Sequence, residues 1–264
     1  MEAQQKKKIL ITGASRGLGC SLVKILAANS NYQLVLVARD SGDLQKLKSE
    51  IEKINQHVEI FAIDLSQKEN LNSLLEKVKD VDILVNNAAG KYFGQFTSQS
   101  QDEIMKIVQL NCMTPMFLCH HYAKIMKEKN SGLIINIASL SAFFPVPYMS
   151  VYSATKAFLV SLGECLDQEF AGTGVRVMTV CPGIINTDFH KTAGLSGLSK
   201  KKNSLAVMSP DEVAKSIADH IDKPSPIIIP GVYNKALNFL SRFTTRAFKV
   251  KSVARIYKKI LDDN

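Results

Sequence analysis

The chain is 264 residues long, 46% apolar and 22% charged, ordinary values for a globular protein. A chain of this length buries roughly 70–75% of the surface its unfolded form exposes, so it needs no disulfide or structural metal, and disordered, collagen-like and disulfide-rich classes are excluded. The net charge is +9, but +6 of it lies between Gly231 and Asn264, +3 in Lys200-Lys201-Lys202 and +2 in residues 1–8, which leaves the body at −2.

In chain order, the predicted strands are Lys8–Thr12, Gln33–Ala38, Val58–Ile63, Asp82–Val85, Leu133–Ile137, Val175–Val180 and Ile227–Ile229. They are short, rich in Val, Ile and Leu, and mostly continuous in apolar character, as befits strands buried on both faces of a parallel sheet. Helical patterns fill the intervals, at about 17–28, 42–55, 67–79, 101–129, 151–171 and 210–221. Leu44, Leu47, Ile51 and Ile54 recur at helical spacing, and Ser209-Pro210-Asp211-Glu212 carries an N-cap, a first-position proline and first-turn acids. Sustained alternation predicts an α/β, Rossmann-like, doubly wound parallel sheet of about seven strands with helices on both faces. Residues 1–230 read as one catalytic domain and 231–264 as a basic amphipathic C-terminal helical extension. The polar stretch His190–Met208 reads as a loop over a site.

Five cysteines at 20, 112, 119, 165 and 181 form no CxxC and read as inert thiols of a reducing compartment. No apolar run reaches the roughly 18 residues a membrane span needs, and Ile9-Leu10-Ile11 is too short for a signal-peptide core. A cytoplasmic location is expected. Adjacent His120 and His121 point about 100° apart on a helix, which argues against a metal site.

Thr12-Gly13-Ala14-Ser15-Arg16-Gly17-Leu18-Gly19 joins the first strand to the first helix. Glycines there permit a tight turn and close backbone approach, and the helix N-terminus supplies unpaired N–H groups for a pyrophosphate. Glycines at 13, 17 and 19 make GxxxGxG, and this spacing resembles the short-chain dehydrogenase/reductase family in its compact single-domain branch. Further motifs follow in family order: Asp64-Leu65 after strand three, Asn86-Asn87-Ala88 after strand four, Asn111 in the long helix, Ser139 after strand five, Tyr152-Ser153-Ala154-Thr155-Lys156 as YxxxK, then Pro182-Gly183, Ile185 and Thr187. The ordered match spans residues 8 to 190. One departure is Asn87-Ala88-Ala89-Gly90, where the family glycine is either replaced by Ala89 or displaced to Gly90.

The resemblance implies a dinucleotide held by Gly13, Ser15, Arg16, Gly17, Leu18, Gly19, Arg39, Asp64, Leu65, Asn86, Ala88, Tyr152, Lys156, Pro182, Gly183, Ile185 and Thr187. It implies catalysis by Asn111, Ser139, Tyr152 and Lys156. An isolated phenol titrates near 10, so Tyr152 needs help, and a cation one helical turn away at Lys156 is expected to lower its pKa. Tyr152 then exchanges a proton with the substrate oxygen, Ser139 steadies that oxygen, and Asn111 holds a water in the relay. At the end of strand two, where an acid would select NAD, stands Ala38, followed by Arg39. With Arg16 this pair suits a 2′-phosphate, so NADP(H) is expected, although Asp40 complicates the reading.

The expected activity is NADPH-dependent reduction of a ketone or aldehyde to an alcohol. Phe143, Phe144, Pro145, Val146, Pro147 and Met149 suggest an apolar, lipid-like substrate. The alternative is a cofactor-sensing or membrane-associated binding protein on the same fold. In the tail, Ala236, Leu240, Phe243, Ala247, Val250, Ala254, Tyr257 and Leu261 recur at steps of four and three, as one amphipathic helix or two joined near Thr244-Thr245. Packing on the body or on a sister subunit (a homo-oligomer, as is common in the family) and peripheral contact with an anionic membrane both remain open. Nucleic acid is not expected, because aromatic residues do not line the charged face.

Overall fold

The computed structural model describes residues 6–187 and 207–262. The elements run β1 Lys7–Thr12, α1 Gly17–Ala27, β2 Tyr32–Ala38, α2 Ser41–Ile51, β3 Val58–Ala62, α3 Lys68–Lys77, β4 Ile83–Asn86, α4 Gln101–Val108, α5 Thr114–Glu128 and β5 Gly132–Ile137. There follow α6 Ser150–Glu169, β6 Val175–Val180, β7 Ile184–Ile185, β8 Val207–Met208, α7 Pro210–Ala218, β9 Ile227–Ile228, α8 Val232–Ser241 and α9 Arg246–Asp262. The main sheet has seven strands in the order β3-β2-β1-β4-β5-β6-β9, all pairs parallel. The order reverses between β1 and β4, and the crevice at the carboxyl ends there is where open α/β sheets take ligands.

Alternation along each strand divides the core between two faces. Ile9 and Ile11 of β1 join Leu34 and Leu36 of β2 under α1, α2 and α7, through Leu22, Leu44 and Val213. Leu10, Val35 and Leu84 face the other way, onto Leu71 and Leu74 of α3 and Leu118 and Tyr122 of α5.

The helix predicted over 101–129 runs without a gap from Gln101 to Glu128, but its hydrogen bonding changes within it: α4 ends at Val108, a π-turn occupies Gln109–Met113, and α5 starts at Thr114. Pro115 explains the change. Without an N–H it cannot bond the carbonyl four residues back, at Asn111, and the chain widens there by one residue. The remaining helices and strands lie within a few residues of their predicted spans. The His190–Met208 loop lies outside the described residues except for Val207–Met208, which pairs with β7.

The tail forms two helices, with the joint where Thr244-Thr245 stand; Thr245 Oγ1 accepts from the Phe248 N–H (3.2 Å) at the start of α9. The apolar stripe of α9 returns to the body. Val253, Tyr257 and Ile260 pack with Phe93, Val146, Met149 and Tyr152. Helix α8 is held by Asn234, whose Nδ2 donates to the Pro230 carbonyl (3.1 Å) and which lies against Gly183. Among the described residues, no helix is long and apolar enough to cross a membrane.

Candidate active site

The first turn is built for close backbone approach. Gly13 and Gly17 adopt φ +64° and +53°, the left-handed region that glycine enters without penalty. At Gly19 the constraint is space, since a Cβ would stand 2.2 Å from the Gly13 carbonyl oxygen. Asn87 fixes the turn from across the switch point: its Nδ2 donates to the carbonyls of Thr12 (2.9 Å) and Gly13 (3.0 Å). The Thr12 hydroxyl accepts from the backbone N–H groups of Asn87 and Ala88, each at 3.0 Å. Helix α1 then begins at Gly17 with no side-chain cap and no acid in its first turn, whereas α2, α4 and α7 are capped by Asp40, Ser100 and Ser209. Uncapped N–H groups at a positive dipole end suit an anion, so this turn fits a dinucleotide's pyrophosphate. Thr187 lies against Gly17, which brings the far end of the motif series to the same turn.

Other expected cofactor positions separate by what their side chains do. Leu18 and Leu65 are buried in the two core clusters, and Ile185 packs against the first of them. The Asn86 side chain points into the protein, where its Nδ2 donates to Asn136 Oδ1 (2.9 Å). These positions offer a ligand main-chain atoms. Asp64 closes its own turn, accepting from the Ser66 N–H (2.9 Å). Ser15 and Ala88 border the turn, and Pro182-Gly183 lies beneath α8 through the Gly183–Asn234 contact.

At the end of β2, Arg39 is exposed. Arg16 lies between two carboxylates, with Nη2 2.9 Å from Asp40 and Nε bonded to Asp43. Asp40 is also the α2 N-cap, accepting from the Asp43 N–H (2.9 Å). That backbone bond, with Arg16 second, holds its carboxyl below the usual range. The acid that complicated the cofactor reading is therefore occupied locally.

The four expected catalytic residues converge at the carboxyl ends of β4 and β5. The π-turn aims Asn111 at Gly90: Nδ2 donates to the Gly90 carbonyl (2.9 Å) and the Thr155 hydroxyl (3.0 Å), and Oδ1 accepts from the Gly90 N–H (2.8 Å). Asn111 thus joins the β4 loop to α6. Lys156 is 2% exposed, donates to the Ile137 carbonyl (2.7 Å) and lies 5.6 Å from the Tyr152 ring centroid. Burial pulls its ammonium down to about 8. Tyr152 departs from expectation: burial pushes its phenol up to about 12, and the offsetting influence is a hydrogen bond with Ser139 rather than the lysine charge. Desolvation dominates the phenol.

Sequence reasoning missed several residues. Val253, Tyr257 and Ile260 of the tail wall the site beside Tyr152, and Phe93 meets Tyr257 edge-on at 6.2 Å. The apolar edge divides, with Val146 and Met149 facing Tyr152 while Phe143 and Phe144 pack with Leu140 and Ile229. Lys91, beside Gly90, is pulled down to about 7 by burial. The step-four recurrence in the tail was the available signal for the first group, though periodicity does not say which surface a helix meets. All five cysteines are free. Among the described residues no His, Cys, Asp and Glu cluster suits a metal.

Comparison with known proteins agrees with this geometry. The family described as short chain dehydrogenase matches residues 7–195. A ketoacyl reductase, HetN, of Nostoc sp. is 34% identical over 68% of this chain and 64% of its own length. A bulky-bulky ketone specific alcohol dehydrogenase from Comamonas testosteroni superposes with TM-score 0.77 at 28% identity, covering 89% and 91% of the two chains. A short-chain dehydrogenase from Sphingobium yanoikuyae solved with NADPH gives TM-score 0.78 at 28% identity over 91% and 97%. A seven-stranded sheet with its switch point at the glycine turn, a Tyr-Lys pair one turn apart and a family match across most of the body make this chain an oxidoreductase of the short-chain dehydrogenase/reductase family.

Proposed function

We propose that this protein reduces an apolar ketone or aldehyde to an alcohol with NADPH. The observation that carries this reading is the juxtaposition of Tyr152, hydrogen-bonded with Ser139, and Lys156, whose Nζ lies 5.6 Å from the Tyr152 ring centroid; a phenol is a neutral proton donor at physiological pH. Donation to a developing alkoxide is the half-reaction that reduction requires. The bound nicotinamide supplies the hydride. The chain's own groups do the rest: Ser139 hydrogen-bonds the substrate oxygen, and Lys156 places positive charge beneath Tyr152 and replenishes its proton. Asn111 holds the Gly90 loop against α6 and orders a water in the relay. Phe93, Val146, Met149 and Tyr257 exclude bulk water and favour a bulky apolar substrate.

Arg39 and Arg16 support a 2′-phosphate, whose two charges suit guanidinium groups. Asp40 and Asp43 favour the competing reading, NAD(H), because they neutralise Arg16. The decisive measurement is NADPH and NADH oxidation against ketones, aldehydes and ketoacyl thioesters, with Tyr152→Phe as control. Turnover that falls about 10²–10⁴-fold in the variant is expected. Equal turnover in Tyr152→Phe would refute the proton-donor role, and turnover by neither would favour a cofactor-sensing protein. Separately from the reductase reading, we propose a cytoplasmic homo-oligomer whose 231–264 arm makes peripheral contact with a membrane.

A further inference from the structure

Helix α8 is built inside out. Its two buried residues are polar, Asn234 at 2% and Ser241 at 7% exposure, while Val232, Leu240 and, just past its end, Phe243 are exposed by 85%, 62% and 77%. Phe239 is also exposed and meets Phe243 edge-on, with ring centroids 5.7 Å apart. At 100° per residue, Val232, Phe239, Leu240 and Phe243 share one outward stripe, flanked by Lys235 and Arg242. Single exposed apolar residues need no explanation, but a contiguous stripe marks a contact surface.

Beside it lies a cavity of about 620 Å³, floored by Ala142, Phe143, Ile227 and Ile229 and rimmed by Lys235, Arg242, Arg246 and Lys249. The volume lies within the usual range of small-ligand sites. Four cations face one acid, Glu164, and among the described residues none of the four forms an ion pair. Ser241 is in place under this rim, with Lys249 Nζ 3.4 Å from its hydroxyl and over the Phe144 ring at 5.6 Å. None of the residues lining the cavity belongs to the nucleotide turn or to the cluster around Tyr152.

We propose that this cavity takes the phosphate of an anionic lipid headgroup while the Val232–Phe243 stripe enters the acyl boundary. The inference deepens the membrane reading of the arm and is independent of the reductase reading. Charge selects the occupant. A second copy docked through the stripe would bring two four-cation rims together, which like-charge repulsion opposes, whereas an anionic bilayer satisfies cations and apolar side chains at once.

The test is sedimentation of the full chain with phosphatidylcholine vesicles, with and without phosphatidylglycerol. Near such a surface each cation contributes roughly fivefold in partition, so Lys235→Gln/Arg242→Gln/Arg246→Gln should bind phosphatidylglycerol vesicles roughly 100-fold less well. Leu240→Gln/Phe243→Ser should also lose binding. Arg255→Gln/Lys258→Gln/Lys259→Gln removes the same charge from α9 and should lose distinctly less. NADPH binding should persist in all three variants as the check on folding. Equal loss in the two charge variants would overturn the cavity site yet leave membrane contact standing, and no vesicle binding by the wild type would overturn both. Thermal stabilisation by soluble glycerol phosphate without vesicle binding would assign the cavity to a free phosphate compound. A dimer dissolved by the stripe variant, without vesicle binding, would assign the stripe to a second copy; either result overturns the lipid proposal.

Discussion

Replacing Lys156 by methionine should make the cofactor-free protein's stability less dependent on pH while abolishing turnover. The folded lysine titrates near 8 against an ordinary 10.5. Its protonated form is thus disfavoured in the fold by about 2.5 units, or roughly 3 kcal/mol. Below pH 8 both folded and unfolded chains are protonated, and the folded state bears this whole penalty. Between pH 8 and 10.5 the folded lysine has lost its proton while the unfolded one retains it, so the penalty shrinks and stability rises. About 2 kcal/mol should return between pH 7 and pH 9.5. Methionine fills a similar volume without a charge and forgoes that rise, but leaves the Ile137 carbonyl without its 2.7 Å partner, a cost of about 1–3 kcal/mol. Urea unfolding at the two pH values measures the difference directly. Wild type minus variant should move by about 2 kcal/mol in favour of wild type as pH rises. A difference constant with pH would show that Lys156 carries no desolvation penalty and would refute this account of the site.

Gly19→Ala should destabilise the fold and weaken NADPH binding by more than about tenfold, although Gly→Ala within a helix ordinarily gains up to about 1 kcal/mol, because the new methyl would meet the Gly13 carbonyl. A rise in melting temperature with unchanged affinity, by calorimetry and fluorescence titration, would contradict the close-approach argument. Arg39→Ala should weaken NADPH about tenfold or more and leave NADH unchanged; parallel losses would remove the 2′-phosphate role. Tyr257→Ala should cost about 2 kcal/mol as a partly buried aromatic and lower kcat/KM for bulky apolar ketones about tenfold, sparing small ones, in a substrate-size series.

The strands were readable because continuous apolar runs between helical patterns have few other homes than a doubly covered parallel sheet. The candidate site was readable because its motifs stand in a fixed order along the strand–helix alternation, and that order is itself information. The unseen parts depend on contacts between distant residues. Asn87 is one letter within a motif, yet its bonds to Thr12 and Gly13 hold the two halves of the switch point together. The π-turn at Gln109–Met113 was written in Pro115, but a proline near a helix start and one that widens a turn look alike until Asn111 has a partner. The phenol's pKa turned on burial, a property of assembly.

The tail shows most clearly where periodicity stops informing. Its step-three and step-four recurrence predicts one apolar stripe, and a single stripe has one partner. The two helices divide the labour instead. In α9 the recurrent Tyr257, with Val253 and Ile260, goes inward to Tyr152, whereas in α8 the recurrent Leu240 goes outward with Phe243, and Asn234 and Ser241 take the buried side. Turning α8 over would bury the apolar stripe but would take Asn234 away from Gly183, where no Cβ separates them, and from the Pro230 carbonyl. The Pro182-Gly183 turn thus favours the face of α8 that carries Asn234 toward the body, while α9 is held by its own contacts beside Tyr152. A turn expected to serve the cofactor also orients α8.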